Sequence, residues 1–336
     1  MGTPEFAVAS LDALVKAGYN VVGVITAPDK PAGRGMKLTE SAVKKYATEH
    51  DLFVLQPEKL KNPDFLNELI ALRADLQIVV AFRMLPEAVW NMPEMGTVNV
   101  HGSLLPQYRG AAPINWAVIN GEHETGVTTF KLKHEIDTGD ILLQKSFPIS
   151  EDETAGEVHD RMKEIGAQLL VRTVEGLVSG SLEEKPQASI GNEQWAIGNV
   201  QEEADHSSLI THHSSLKHAP KIFTDTCKID FSKTVEEVHN LIRGLSPFPG
   251  AFTMFNEKMM KIYRSKKELG RGAKNDLNHD EQNVQAGETV PTGSYVTDGK
   301  TFLKFACNNG YVQVLELQLE GKKKMLVEDF LRGYRS

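Results

Sequence analysis

Apolar positions along the first half of the chain follow two alternating rhythms. Val21-Val-Gly-Val-Ile25, Phe53-Val-Leu55 and Leu76-Gln-Ile-Val-Val-Ala-Phe82 are short β-rich runs. Between them the spacing turns helical: Phe6, Leu11, Leu14 and Val15 follow a Thr3-Pro4 start, and similar stretches lie near Thr39 to Thr48 and Asp64 to Leu72. This alternation predicts parallel βαβ units in a doubly wound, mostly parallel, Rossmann-like α/β sheet. Further strands are predicted at Thr97–His101, Gly126–Leu132 and Ile141–Ile149, with a short helix from Pro113 closed by Gly121. Thr154 to Gly180 reads as a long amphipathic helix that buries Val158, Met162, Ile165, Leu169, Leu170 and Val174. Thr154 and Glu157 have the spacing of a capping box at its start. One element is short: a sheet of this class enters its first helix from a strand, and Thr3-Pro4 has almost nothing ahead of it. A start further upstream is the expectation.

Residues 181 to 219 lose this periodicity and become rich in Ser, Glu, Gln and His. The pattern predicts a first domain over 1–188, a linker over 189–218 and a second domain over 219–336. Beyond the linker a helix from Thr234 to Gly244 and a rigid Pro247-Phe-Pro249 turn precede short strands near 251–255, 258–264, 301–306 and 311–319. Short strands with few helices predict a smaller C-terminal β-barrel of OB-like type.

Composition changes this picture little, but charge does. The 336 residues carry a net −8, yet from residue 207 onward Lys and Arg outnumber Asp and Glu 19 to 15, against 18 to 30 before it. A mildly basic half joined to an acidic one suits an anionic ligand; chance variation in surface charge is the competing explanation. Arg264, Lys266 and Lys267, and Lys322, Lys323 and Lys324, form basic clusters that suit a nucleic-acid backbone, or else solubilise β edges. No apolar run is long enough to span a membrane, and the N-terminus lacks a signal-peptide pattern, so a cytoplasmic protein is expected. Cys227 and Cys307 are too few for a disulfide framework or a thiolate zinc site.

Candidate chemistry centres on Thr97-Val-Asn-Val-His101-Gly-Ser-Leu-Leu-Pro106-Gln-Tyr-Arg-Gly110. Asn99 and His101 are two apart, so on a strand both leave from one face. Downstream, His134-Glu-Ile-Asp137-Thr-Gly-Asp140 brings acids to a glycine-bearing loop; Asp137 and Asp140 lack EF-hand spacing, and a turn-stabilising role competes. His206, His212, His213 and His218 lack accompanying ligands and read as linker. The loop Ala27 to Leu38 carries Lys30, Arg34 and Lys37 after a strand, where cations meet phosphates or serve only solubility. No Gly-x-Gly-x-x-Gly or Walker sequence is present, so dinucleotide and P-loop chemistry lack support. If Asp137 approaches His101, the carboxylate orients and charge-stabilises the imidazole while Asn99 donates to an oxyanion. Such a set suits acyl transfer in which the substrate brings its own nucleophile, most simply an amine. Each residue taken alone also fits a satisfied structural polar group.

Those residues resemble the 10-formyltetrahydrofolate-dependent formyltransferases. The likeness rests on Asn99-Val-His101, Gly-Ser-Leu-Leu-Pro106, Tyr-Arg-Gly-Ala-Ala-Pro113 and Ile136-Asp137-Thr-Gly-Asp140. It extends to Gly2-Thr-Pro-Glu-Phe6, Pro28-Asp-Lys-Pro-Ala-Gly-Arg34-Gly and Arg243-Gly-Leu-Ser-Pro-Phe-Pro249. The resemblance implies Asn99, His101 and Asp137 as the catalytic trio of a metal-free enzyme. It places 10-formyltetrahydrofolate near Ser103, Leu104, Leu105 and Pro106, near Val80, Phe82 and Leu85, and near Asp140. It implies initiator methionyl-tRNA as acceptor and translation initiation as the setting. Lys30, Arg34 and Lys37 would then meet the acceptor end, the basic clusters of the second domain would contact the tRNA body, and Phe6 would touch the methionyl group. A monomer is expected. Two alternatives stay open: a formyltransferase for a small amine, and a non-catalytic tRNA-binding protein.

Overall fold

The computed structural model describes residues 1–32, 37–187, 216–270 and 290–333. Contacts divide the chain into two units. The first comprises Met1–Pro113, Thr125–Phe147 and His159–Pro220; the second comprises Ile114–Glu124, Pro148–Val158 and Lys221–Ser336. The segment 216–220 thus belongs with the first unit, and the chain makes two excursions into the second before its C-terminal stretch begins.

In the first unit Val24–Ile25 pairs in parallel with Val54–Leu55, and Gln77–Val80 pairs in parallel with Thr97–His101. The order then continues through Glu124–Lys131, antiparallel to Thr97–His101, to Ile141–Pro148. The strands are shorter than their apolar runs suggest, because Val21 to Gly23 have no strand partner among the described residues. Helix starts follow their caps. The Ser41 hydroxyl accepts from Lys44 N–H, and Asn62 accepts from Asp64 N–H with Pro63 opening the helix. Thr154 and Glu157 exchange the two bonds of the expected capping box at the head of Ala155–Val178.

Met1 and Gly2 lie between Val24–Ile25 and Gln77–Val80. Gly2 N–H donates to Ile25 O at 3.0 Å, Val80 N–H donates to Met1 O at 3.0 Å, and Gly2 forms a parallel bridge with Val80. Upstream of this point the two flanking strands enclose a cavity of about 470 Å³, lined by Leu11, Leu14, Val22, Leu72, Ile78 and Val174 among others. The Met1 amine donates to Ile78 O at 2.6 Å, and desolvation pushes it from its ordinary 8.0 down to about 5. Between those values the unfolded chain binds more protons than the folded one, so this group makes stability rise from pH 5 to pH 8.

The second unit is built on an antiparallel sheet of curled, half-barrel form. Lys258–Leu269 lies between Ala251–Phe255 and Gly310–Leu319; Leu303–Cys307, Tyr295–Thr297 and the short Met325–Leu326 complete it. The last two strands escaped the sequence pattern: Tyr295–Thr297 is exposed throughout and Met325–Leu326 is two residues long. Ahead of them Lys228 makes a single parallel bridge with Phe252. Val235–Gly244 starts on a Thr234–Glu237 capping box and packs Val238 and Ile242 into a core with Ile262, Phe305, Leu317 and both buried, free cysteines. No helix among the described residues is long and apolar enough to cross a membrane.

Placing five apolar, β-forming residues ahead of Met1 fills the slot and turns its amine into an amide. We expect the melting temperature to rise by about 5 °C or more and the pH 5–8 dependence to weaken. Unchanged melting curves at both ends of that range would show that the slot does not accept a strand.

Candidate active site

Strand Thr97–His101 is central, between Gln77–Val80 and Glu124–Lys131. Its pleat sends Val98 and Val100 to one face, where Val100 lies close to Gly166 of the long helix, and Asn99 and His101 to the other. The His101 ring packs edge-on to Phe130, with centroids 6.4 Å apart. Its Nε2–H donates to Tyr108 O at 3.0 Å, which leaves Nδ1 facing Asp137 Oδ2 at 3.9 Å. That distance is an ion-pair approach without a hydrogen bond. The imidazole is therefore oriented by the Tyr108 carbonyl, not by the carboxylate as the sequence suggests. Asp137 is held separately: its Oδ2 accepts from Gly110 N–H at 3.0 Å. Among the described residues the Asn99 amide has no hydrogen-bond partner, so its donors are available to a ligand.

The loop after His101 is fixed through Thr128, the strand residue directly opposite His101. Thr128 is fully buried; its hydroxyl donates to Ser103 O at 2.6 Å and accepts from Leu105 N–H at 3.1 Å and Gln144 Nε2 at 2.7 Å. Gln144 also donates to Leu105 O at 2.8 Å. Ser103 Oγ donates to Gln107 O at 2.7 Å, closing the turn. The result is a rigid backbone loop beside an imidazole, a free amide and a carboxylate, which together can bind a carbonyl, stabilise an oxyanion and take a proton. None of the three lines the large slot near Met1. Among the described residues no cluster of His, Cys, Asp and Glu is arranged to hold a metal ion.

Residues 1–174 match the family model described as formyl transferase, and residues 221–335 match formyl transferase, C-terminal domain. The chain belongs to the formyl transferase family. A methionyl-tRNA formyltransferase of Bacteroides fragilis is 48% identical over 99% of this chain and 94% of its own length. One from Phocaeicola vulgatus is 50% identical over 100% and 95%. Solved structures share the fold at lower identity. WlaRD, a sugar 3N-formyl transferase determined with dTDP and 5-N-formyl-THF, aligns at TM-score 0.59 and 20% identity over 96% of this chain and 97% of its own. HypX from Aquifex aeolicus, in complex with tetrahydrofolic acid, aligns at TM-score 0.53 and 18% identity over 84% and 43%.

Other candidate residues of this formyl transferase are placed unevenly. Leu105 is buried with Phe130 and Ile141, so its main chain is what the loop presents, whereas Leu104 and Pro106 are half-buried. Val80 is buried, Leu85 packs in the core with Phe65 and Val89, and Phe82 lies against that core. Asp140 pairs with Lys133 at 2.6 Å. Phe6 is buried against the His159 ring, with centroids 5.3 Å apart. Lys30 is exposed on a short hairpin whose other arm, Lys37–Thr39, includes Lys37; Arg34 and the linker histidines 206, 212 and 213 lie outside the described residues.

In the second unit Arg264 pairs with Glu157 at 2.5 Å, Lys267 with Glu151 and Glu236 at 2.5 and 2.8 Å, and Lys324 with Glu316 at 2.5 Å. Lys266, Lys322 and Lys323 are exposed and make no ion pair among the described residues. Thr128, Gln144, Tyr108 and Gly110 support the site without having been singled out as candidates. Tyr108 and Gly110 sat inside the motif, and Thr128 becomes visible only through strand register.

Replacing Thr128 by Val removes one hydroxyl and leaves a buried carbonyl, an N–H and an amide without that partner. We expect a loss of about 1–3 kcal/mol in unfolding free energy together with a raised KM for the formyl donor. Urea denaturation and steady-state kinetics check both.

Proposed function

We propose that this formyl transferase moves the formyl group of 10-formyltetrahydrofolate to the free amino group of initiator methionyl-tRNA. The observation that carries the reading is the convergence of the unpartnered Asn99 amide, the His101 Nδ1 face and the backbone-held Asp137 carboxylate, beside a loop pinned through Thr128. The near full-length likeness to methionyl-tRNA formyltransferases supports this choice of acceptor.

In the proposed reaction the uncharged α-amine attacks the formyl carbon. Asn99 donates to the oxygen that becomes an oxyanion, a protonated His101 donates to it through Nδ1 while Nε2–H stays on Tyr108 O, and Asp137 receives the amine proton, directly or through water. Collapse of the adduct breaks the bond from the formyl carbon to the folate nitrogen, which takes up the proton received by Asp137, directly or through water, and leaves as a neutral amine. The new amide bond remains on the tRNA. No metal takes part in this scheme. The main chain of Ser103 to Pro106 lies beside the donor, with Leu104, Pro106 and Phe82 toward it and Val80, Leu85 and Asp140 as its surroundings. Lys30, Arg34 and Lys37 meet the acceptor end, while Phe6 backs the methionyl pocket. Lys266, Lys322 and Lys323 reach the tRNA body from an OB-like second domain; Arg264, Lys267 and Lys324 do so only by exchanging carboxylate partners for phosphates. The enzyme acts as a cytoplasmic monomer.

Formylation of methionyl-tRNA, with uncharged tRNA and free methionine as controls, tests the reading. His101→Ala and Asp137→Asn are each expected to lower kcat by about 100-fold or more while tRNA affinity stays within about twofold. Equal loss of turnover and affinity would refute the division of labour. Arg34→Ala should impair formylation and flatten the salt dependence of tRNA binding by about one phosphate contact. Turnover of a small amine in place of methionyl-tRNA would overturn the proposed acceptor.

A further inference from the structure

Gln187 lies 50 residues after Asp137, in a stretch whose composition reads only as the approach to the linker, yet its carboxamide is buried against the catalytic loop. Its Nε2 donates to Asp137 O at 2.8 Å and to Gly139 O at 2.8 Å. Its Oε1 accepts from Arg109 Nε at 3.0 Å and from a second guanidinium nitrogen of Arg109 at 2.5 Å. The Gln187 carboxamide thereby makes four hydrogen bonds, with its two donated bonds to one loop and its two accepted bonds from the other.

The loop needs such a hold. Asp137 has φ +53°, in the left-handed region that residues with a Cβ seldom occupy. Two residues on, a Cβ at Gly139 would lie 1.6 Å from Lys131 O, so the loop packs against that strand end with room for glycine alone. The carboxylate of Asp137 takes its bond from Gly110, the neighbour of Arg109. Arg109 and Gly110 are paired in turn with His218 and Ala219.

We propose that Gln187 is a positioning residue for formyl transfer: it clamps the Asp137 loop to Arg109 and so sets the reach of the carboxylate toward the His101 Nδ1 face. The proposal rests on the role given to Asp137 above and extends it to a residue that touches no reacting atom. An isosteric Gln187→Glu change keeps an acceptor for Arg109 but removes both donors to the loop; Gln187→Leu removes all four contacts at similar volume.

The test is steady-state formylation of methionyl-tRNA by the full-length chain carrying Gln187→Glu, Gln187→Leu or Asp137→Asn, with melting temperatures measured alongside. The expected result is a fall in kcat of about tenfold to 100-fold for both Gln187 variants. KM for donor and tRNA should stay within about twofold, and melting temperatures should stay well above the assay temperature. If Gln187→Leu fails to fold, Gln187→Glu decides. Wild-type kcat in the Gln187 variants beside an inactive Asp137→Asn, or a change in KM alone, overturns the clamp. An active Asp137→Asn overturns the catalytic reading itself, and the clamp with it.

Discussion

Three residues of main chain, Tyr108 to Gly110, hold the two halves of the site together. The Tyr108 carbonyl accepts a hydrogen bond from His101 Nε2–H, and the Gly110 amide donates one to Asp137 Oδ2. Main-chain groups cannot rotate away as side chains can, so both bonds are as rigid as the turn that carries them. The His101–Asp137 separation of 3.9 Å follows from this, since neither residue orients the other directly. A space between an imidazole nitrogen and a carboxylate, kept open by independent tethers, suits the proposed removal of a proton from an incoming amine.

The turn depends on its surroundings in a specific way. Gly110 has φ +127°, and a Cβ there would lie 2.4 Å from Ala219 O, so only glycine lets the two segments close up. Ala219 O in turn accepts from Ala111 N–H at 2.7 Å, and Lys217 O accepts from Tyr108 N–H at 2.7 Å. Thr128 does the equivalent work for the adjoining loop, from the strand position that faces His101. Both supports reach the site across large sequence distances, one through the parallel pairing of a small two-stranded sheet and the other through an antiparallel pairing of the four-stranded sheet.

Much of the local structure was legible in the sequence because it has local causes. The period-two spacing of Asn99 and His101 set their common face, and the Thr154–Glu157 box marked a helix start by chemistry confined to one turn. What escaped was set by long-range register. Nothing near Thr128 says that it stands opposite His101, and nothing near Gln187 says that it will reach Asp137. Fates of single charges were also hidden: Lys266 and Lys267 are neighbours in sequence, but one is exposed and the other is enclosed by Glu151 and Glu236 on opposite segments of its unit. Periodicity reports which way a side chain points, not what it meets there.

The pairing of Lys217 to Ala219 with Tyr108 to Gly110 makes the candidate active site of the first unit discontinuous in sequence. Cut at residue 188, where the composition changes, an excised domain would retain Asn99, His101, Asp137 and Gln187 yet lose the strand that props the turn between them. Shortening the segment from 188 to 215 is thus a different operation from deleting through 219. The first alters a connection, whereas the second removes part of the wall of the candidate active site.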